Sequence, residues 1–228
     1  MGQYYKIIFL AEDGKYMRAF VEPWAYNSGA KLVEHAYTDD PCVHAVEYLL
    51  SPKGMFYMSR LVWAGDYAEK EESGVTLYSV ASKIEDKMIH LDKKTDCRFI
   101  LNHTKGLFID KKKLKKIHPL PLLTSEGNGL GGGDYFGKNA YVCGTWARDI
   151  ISLDDQPGDY EEYIVDFDDE WMPEKDDRVQ DIIKAGGKIY AEVPTKSGCH
   201  IISSPFNMNK FKWMIDIHRD NPTILYCP

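Results

Sequence analysis

The order of elements between Tyr160 and Tyr226 narrows the possible folds more than any other feature of this chain. Tyr160–Phe167 reads as a strand, and Asp176–Ala185 as a helix stopped by Gly186-Gly187. Lys188–Val193 and Cys199–Ser203 read as strands, Asn207–Ile217 as a helix and Thr223–Tyr226 as a last strand. That order, β-α-β-β-α-β, is the ferredoxin-like arrangement, in which the helices cover one face of a four-stranded sheet with strand order 4-1-3-2. Local signals agree with it: Asn207 suits a helix N-cap, Gly186 supplies a left-handed residue at a helix end, and Asn221-Pro222 closes the following segment.

The preceding sequence predicts short strands and helices without a repeat. Tyr4–Leu10 reads as a strand. Asp39-Asp40-Pro41 offers a cap and a first-turn proline for a helix ending near Ser51, with Val43, Val46, Leu49 and Leu50 at helical spacing. Met55–Trp63 is expected to be a strand, and Val80, Ile84 and Met88 to mark another helix. Cys97–His103 and Leu107–Asp110 read as a hairpin around Lys105-Gly106. Residues 119–139, with Pro119, Pro121 and the glycines from Gly127 to Gly137, are expected to be a long loop without regular structure.

The fold class expected is therefore α+β: a mixed N-terminal α/β domain over residues 1–155, carrying a glycine-rich loop at 125–137, and a C-terminal ferredoxin-like unit over 156–228. A chain of 228 residues with 44% apolar content has enough material for both cores. Its formal charge of −7 excludes coating nucleic acid or anionic lipid through net charge, so non-specific nucleic-acid binding is not expected. No apolar run approaches the ~20 residues of a membrane helix, and the N-terminus lacks a basic segment followed by an apolar stretch. Lys6 stands where a myristoylation pattern wants Ser or Thr. The five cysteines (Cys42, Cys97, Cys143, Cys199, Cys227) are scattered and form no C-x-x-C, as expected of a protein of the reducing cytoplasm.

Chemistry is expected at two places. On the first ferredoxin-like strand, Val165 and Phe167 suit the helix-packed side, which puts Asp166 and Asp168 together on the open side. His200 joins them if Cys199 and Ile201 point into the core. Two carboxylates one strand step apart suit a magnesium or manganese ion, and an adjacent imidazole suits a phosphate or a proton transfer. Asp169 and Glu192 are further acidic candidates. The second place is the glycine run. Its G-x-G-x-x-G (Gly127, Gly129, Gly132) lacks the flanking strand and helix of a dinucleotide site, and Gly137-Lys138 lacks the Ser or Thr of a P-loop. What remains is a backbone concavity at Gly129, Gly131 and Gly132 for a phosphate or sugar, with His118, Asn128 and Asp134 as polar tips. Lys111–Lys113, Lys115 and Lys116 form a basic cluster able to steer an anion there, and Arg148 can pair with Asp149 or with ligand phosphate. Asp66 and Tyr67, at a strand end, suit a cap or turn, with a polar pair facing a ligand as the alternative.

The order D-x-D, S-x-x-H and apolar-Asp, here Asp166 and Asp168 in IVDFDDEW, Ser197 and His200 in VPTKSGCHII and Asp216 in WMID, resembles the archaeo-eukaryotic primase and primase-polymerase motif set. The resemblance implies that the aspartates hold catalytic metals, with Ser197 in the motif and His200 on the phosphates of an incoming nucleotide. The blocks MGQYYK, KLVEH, WAGDY, ILNHT, HPLPLLTSEGNGLGGGDY and GTWARD resemble a bacterial and phage family of uncharacterised proteins, with Leu130 where an arginine is expected. AEVPTKSGCHIISSPFN with DIHRDNPTILY resembles short phage-encoded proteins, so the chain looks composite. The expected function is binding of a nucleotide or another phosphate-bearing small molecule. A metal-dependent nucleotidyl- or phosphotransfer enzyme using Asp166, Asp168 and His200 is one alternative. A protein-protein interaction module anchored by Trp24, Trp63, Trp146, Trp171 and Trp213 is the other.

Overall fold

The computed structural model describes residues 3–127, 142–157, 163–168, 175–195, 198–204, 206–207, 210 and 217–219. It is a mixed fold of antiparallel sheets and several helices, an α+β architecture. Two compact units divide the described residues: one takes in the chain up to Thr104 and Ile109–Pro157, the other Lys105–Phe108 and the described part of Gly158–Ile224.

In chain order the elements of the first sheet and its helices are β1 (Tyr5–Leu10), β2 (Met17–Val21), α1 (Leu32–His35), α2 (Pro41–Leu50), β3 (Ser59–Gly65) and α3 (Leu77–Ala81). They continue with β4 (Phe99–Asn102), β5 (Leu107–Asp110), α4 (Pro119–Leu123), β6 (Ser125–Glu126) and β7 (Ile150–Asp154). The strands run β2-β1-β3-β7-β4-β5, with β6 parallel beside β3. All six residues of β1 are buried, so both of its faces are covered. On one face Ile8, Leu10, Met17, Phe20, Val62 and Ala64 pack with Leu77 and Ala81 of α3. Within β1, Lys6 is buried in an ion pair with Glu22.

A buried polar chain crosses the core. Trp63 Nε1 donates to His35 Nε2 at 2.9 Å, and His35 Nδ1 donates to the Gly29 carbonyl at 2.7 Å. Trp63 and His35 are both fully enclosed, and burial pushes the His35 imidazole below its ordinary pKa.

Helix α2 begins where the sequence says: Asp40 accepts from the Cys42 and Val43 amides at 2.9 and 3.3 Å, and Pro41 fills the first turn. Three expectations are corrected. The strand expected from Met55 starts at Ser59, because Met55–Met58 form a turn that packs Phe56 on Phe9 (ring centroids 4.3 Å apart) and puts Met58 at φ +54°. The helix expected through Met88 is α3 alone, followed by a single 3-10 turn at Glu85–Lys87. The chain then leaves helical geometry because the Ile89 amide is caught by the Phe20 carbonyl at the edge of β2 (2.8 Å). Residues 119–126 are not a loop: Pro119 and Pro121 lie in the first turn of α4, where an amide has no intrahelical acceptor, and β6 follows. The strands β2 and β7 carry no separate expectation from the sequence.

The second unit contains β8 (Tyr163–Asp168), α5 (Lys175–Lys184), β9 (Ile189–Thr195), β10 (Gly198–Ser203) and β11 (Ile217–Arg219), with antiparallel strands in the order β11-β8-β10-β9. Ile182 and Ala185 pack on Cys199, Ile201 and Phe206. Gly186 at φ +98° stops α5 in the left-handed region, where a side chain would be strained. Ile217, expected to end a helix, opens a strand paired with Val165. Most of the second expected helix and all of Thr223–Tyr226 lie outside the described residues.

Candidate functional site

One convergence of charged side chains lies in the first unit, where three separate stretches of sequence meet. Asp110 accepts from the Lys112 amide at 3.0 Å and is itself held by Arg98 in a two-pronged contact at 2.6 and 3.1 Å. This cap turns Lys111–Lys113 into one 3-10 turn, which aims Lys111 inward and leaves Lys112 and Lys113 exposed. The following strand-like segment runs against residues 36–38: Thr38 N donates to the Lys116 carbonyl at 3.0 Å, and His118 N to the Ala36 carbonyl at 3.1 Å. Glu47, on the inward face of α2, meets both. Its Oε1 receives Lys111 Nζ at 2.6 Å and His118 Nε2 at 3.0 Å.

The tautomer of His118 follows from its other bond. Its Nδ1 accepts from the Leu120 amide at 3.2 Å, capping α4, so the proton sits on Nε2 and points at Glu47. Burial pushes the Glu47 carboxyl up, but the hydrogen bond from His118 and the charge of Lys111 outweigh it, and the carboxyl titrates below the ordinary glutamate range. Glu47 and His118 are 2% and 1% exposed, so they form a floor rather than a surface. Above them opens a pocket of about 320 Å³ lined by Thr38, His44, Lys94, Thr95, Asp96 and Lys115 besides Glu47, Lys111, Leu114 and His118. Three lysines face two carboxylates here, and one of those carboxylates is already committed to Lys111 and His118. The lining thus carries an excess of one positive charge although the chain as a whole is acidic.

A larger cavity, about 640 Å³, has the opposite character. It is lined by Glu69, Glu71, Glu72 and Glu126 against Lys70 and Arg148. Arg148 sits at φ +63°, held there by its amide bond to Leu61 O (2.8 Å) and by Arg60 Nη1 on its carbonyl (2.8 Å). Its guanidinium grips Glu126 at 2.6 and 2.8 Å and Glu71 at 2.5 and 3.2 Å. These two carboxylates, and not Asp149, are the side chains that Arg148 pairs with, and they hold the guanidinium protonated far above neutral pH. Asp149 instead accepts from Asn102 Nδ2 at 2.8 Å. His118 and Arg148 thus line two different pockets.

The acidic strand is placed by register. In the β8/β10 pairing Asp166 stands opposite His200 and Asp168 opposite Gly198, while Cys199 and Ile201 are buried in the α5 core as the alternation requires. The His200 side of β10 is not open along its length, since Ile202 on that side is fully buried. Glu192 pairs with Lys175. Among the described residues no group of three or more His, Cys, Asp or Glu is placed to hold a metal ion. Ser197, Asp169, Asp216, Asn128, Gly129, Gly131, Gly132 and Asp134 lie outside the described residues. Asp66 serves a turn, accepting from the Tyr4 amide at 3.1 Å. No family model, curated protein or solved structure matches this chain.

Sequence reasoning named His118 and the Lys111–Lys116 cluster but missed Glu47, Lys94, Asp96 and Thr38. Only the helical spacing of α2, with Glu47 one turn beyond Val43 on an otherwise apolar side, could have singled out Glu47 as an inward charge in need of a partner. Of the tryptophans considered as interface anchors, Trp63 and Trp146 are core residues at 0% and 1% exposure, and Trp24 is exposed. Trp171 and Trp213 lie outside the described residues. Cys42, Cys97, Cys143 and Cys199 are buried and not disulfide-bonded. Among the described residues no helix is long and apolar enough to cross a membrane.

Proposed function

We propose that the protein binds a phosphate-bearing small molecule, and that the lysine-lined pocket over Glu47 and His118 is where it does so. One observation carries the reading: Lys94, Lys111 and Lys115 converge on a single concavity of a chain whose formal charge is −7. Ammonium groups are compact donors suited to phosphate, and the buried Glu47–Lys111 pair fixes one of them in advance, which lowers the ordering cost of binding. Isothermal titration with inorganic phosphate, pyrophosphate and AMP tests it. Binding that weakens at least tenfold in Lys94→Ala/Lys115→Ala, with the fold intact, is the expected result. Unchanged binding in that variant, or none by any of the three compounds, rejects the reading.

A second reading is a metal-dependent nucleotidyl- or phosphotransfer enzyme at the second sheet, favoured by the register of His200 against Asp166. It predicts magnesium- or manganese-dependent turnover that Asp168→Ala abolishes without unfolding the protein. We further propose that the second unit is ferredoxin-like, a reading supported by the order β11-β8-β10-β9 and by one helix between β8 and β9. The bacterial or phage setting and the cytoplasmic location rest on the sequence blocks and on cysteine usage alone.

A further inference from the structure

We infer that the ligand of the lysine pocket is recognised as a phosphorylated sugar or polyol, and that a nucleobase, if one is attached, is left unread; this rests on the phosphate-binding reading above. A pocket that reads a base needs a ring face or a broad apolar wall to stack it, and base stacking on an aromatic side chain contributes ~1–3 kcal/mol. Among the described residues the lysine pocket has neither. Leu114 is, among the described residues, the one aliphatic side chain in its lining, and no Phe, Tyr or Trp of theirs is part of it. The tyrosines beside Thr38 and Glu47 in the sequence each carry a lysine on the ring: Lys93 Nζ lies 5.0 Å from the Tyr48 ring centroid and Lys116 Nζ 5.3 Å from that of Tyr37.

What the lining does offer is a matched pair of chemistries. Lys94 is an exposed ammonium group for phosphate oxygens, and Lys111 and Lys115 add positive charge beside it. Asp96 is an exposed carboxylate, an acceptor-only group that suits the hydroxyls of a sugar and repels a phosphate. Thr38 Oγ1 donates to the Lys115 carbonyl at 3.2 Å, which leaves its lone pairs for a ligand hydroxyl; Thr95 Oγ1 donates to Cys97 Sγ at 3.0 Å and accepts from the Cys97 amide at 3.3 Å, which leaves it one further acceptor site. His44 Nε2 donates to the Thr38 carbonyl at 3.0 Å, which fixes the ring at the rim. The volume, about 320 Å³, lies at the lower end of the ~300–1,000 Å³ typical of ligand pockets and fits a compact ligand.

The test is a calorimetric titration of the full chain with ribose 5-phosphate, AMP, adenosine, ribose and inorganic phosphate at low salt. Ribose 5-phosphate and AMP are expected to bind within about threefold of each other, inorganic phosphate more weakly, and adenosine and ribose not detectably. Asp96→Asn is expected to weaken ribose 5-phosphate by about tenfold, the loss of one hydrogen bond to a charged acceptor, while leaving inorganic phosphate unchanged or tighter. Lys115→Ala weakens both. AMP binding tenfold or more above ribose 5-phosphate overturns the inference and leaves phosphate binding standing. Inorganic phosphate binding as tightly as ribose 5-phosphate, or indifference of ribose 5-phosphate to Asp96→Asn, overturns it in the same way. Failure of every phosphorylated compound instead rejects the phosphate-binding reading beneath it. Both substituted residues are exposed, and an unchanged melting midpoint checks that each variant is folded.

Discussion

Mild acid is expected to destabilise the first unit through a single imidazole. Both ring nitrogens of His35 are committed: Nδ1–H to the Gly29 carbonyl, and the Nε2 lone pair to Trp63 Nε1–H. A second proton would set N–H against N–H in a fully buried site, and burial already holds the folded pKa below the ordinary 6.5. Below 6.5 the unfolded chain therefore binds more protons than the folded one, and stability rises with pH. The contribution is complete above the unfolded value and is lost as pH falls below it, at up to about 1.4 kcal/mol per pH unit. Against a typical total of ~5–15 kcal/mol, one unit of acidification is a measurable fraction. His103 is also lowered by burial and acts over the same window, so the wild type alone cannot isolate His35. His35→Gln retains an acceptor for Trp63 and removes the titration. Urea unfolding of both proteins at about pH 7.5, 6.5 and 5.5 should show the wild type losing roughly 1 kcal/mol more than the variant over the last unit. Parallel pH dependences of the two proteins would refute the reasoning.

Other consequences follow from single contacts. Trp63→Phe removes the donor to His35 Nε2 and part of a fully buried ring, and should cost ~2–4 kcal/mol in urea unfolding, from the orphaned acceptor and the void together. Asp40→Ala removes the acceptor for two first-turn amides of α2 and should lower stability by ~0.5–2 kcal/mol, read as a lower melting midpoint. Both Arg148→Gly and Arg148→Ala break the bonds to Glu71 and Glu126. Arg148→Gly should nevertheless be the more stable by ~1 kcal/mol, because φ +63° strains any residue with a Cβ; equal midpoints would contradict that. The Glu47 carboxyl, held below its ordinary value of 4.5, contributes stability that is present above that pH and lost as pH falls below it. Glu47→Gln should therefore flatten the acid limb of the stability curve below about pH 4.5.

The candidate site was legible only in pieces. His118 and the lysines after Asp110 stand out in the sequence because charge runs and a histidine before Pro119 are local patterns. Their inward partner Glu47 lies 71 residues away, and nothing local to it announces the pairing. The sequence offers His118 as a polar tip of the glycine run and Asp149 as a partner for Arg148; the cap on α4 turns the His118 ring toward Glu47 of α2, and two glutamates take the Arg148 guanidinium. Asp166 and His200 are a different case: strand alternation and antiparallel register are nearly rigid rules, so their cross-strand placement could be read before any coordinates.

The sequence by itself determined the elements whose signals close within a few residues. The Asp40-Pro41 start of α2 and the Gly186 stop of α5 are satisfied by bonds to neighbours along the chain, and the apolar run of β1 marks a strand whichever strands come to pair with it. Tertiary structure decided the rest. The helix expected through Met88 was ended by the edge of β2, and Pro119-Leu-Pro became helical because its missing amides fell where the helix needs none. The lysine pocket was assembled from three stretches that share no local pattern. Long-range hydrogen bonds and buried charge pairs outweigh the few tenths of a kcal/mol of intrinsic preference at any one residue, and where they form depends on which distant segment arrives.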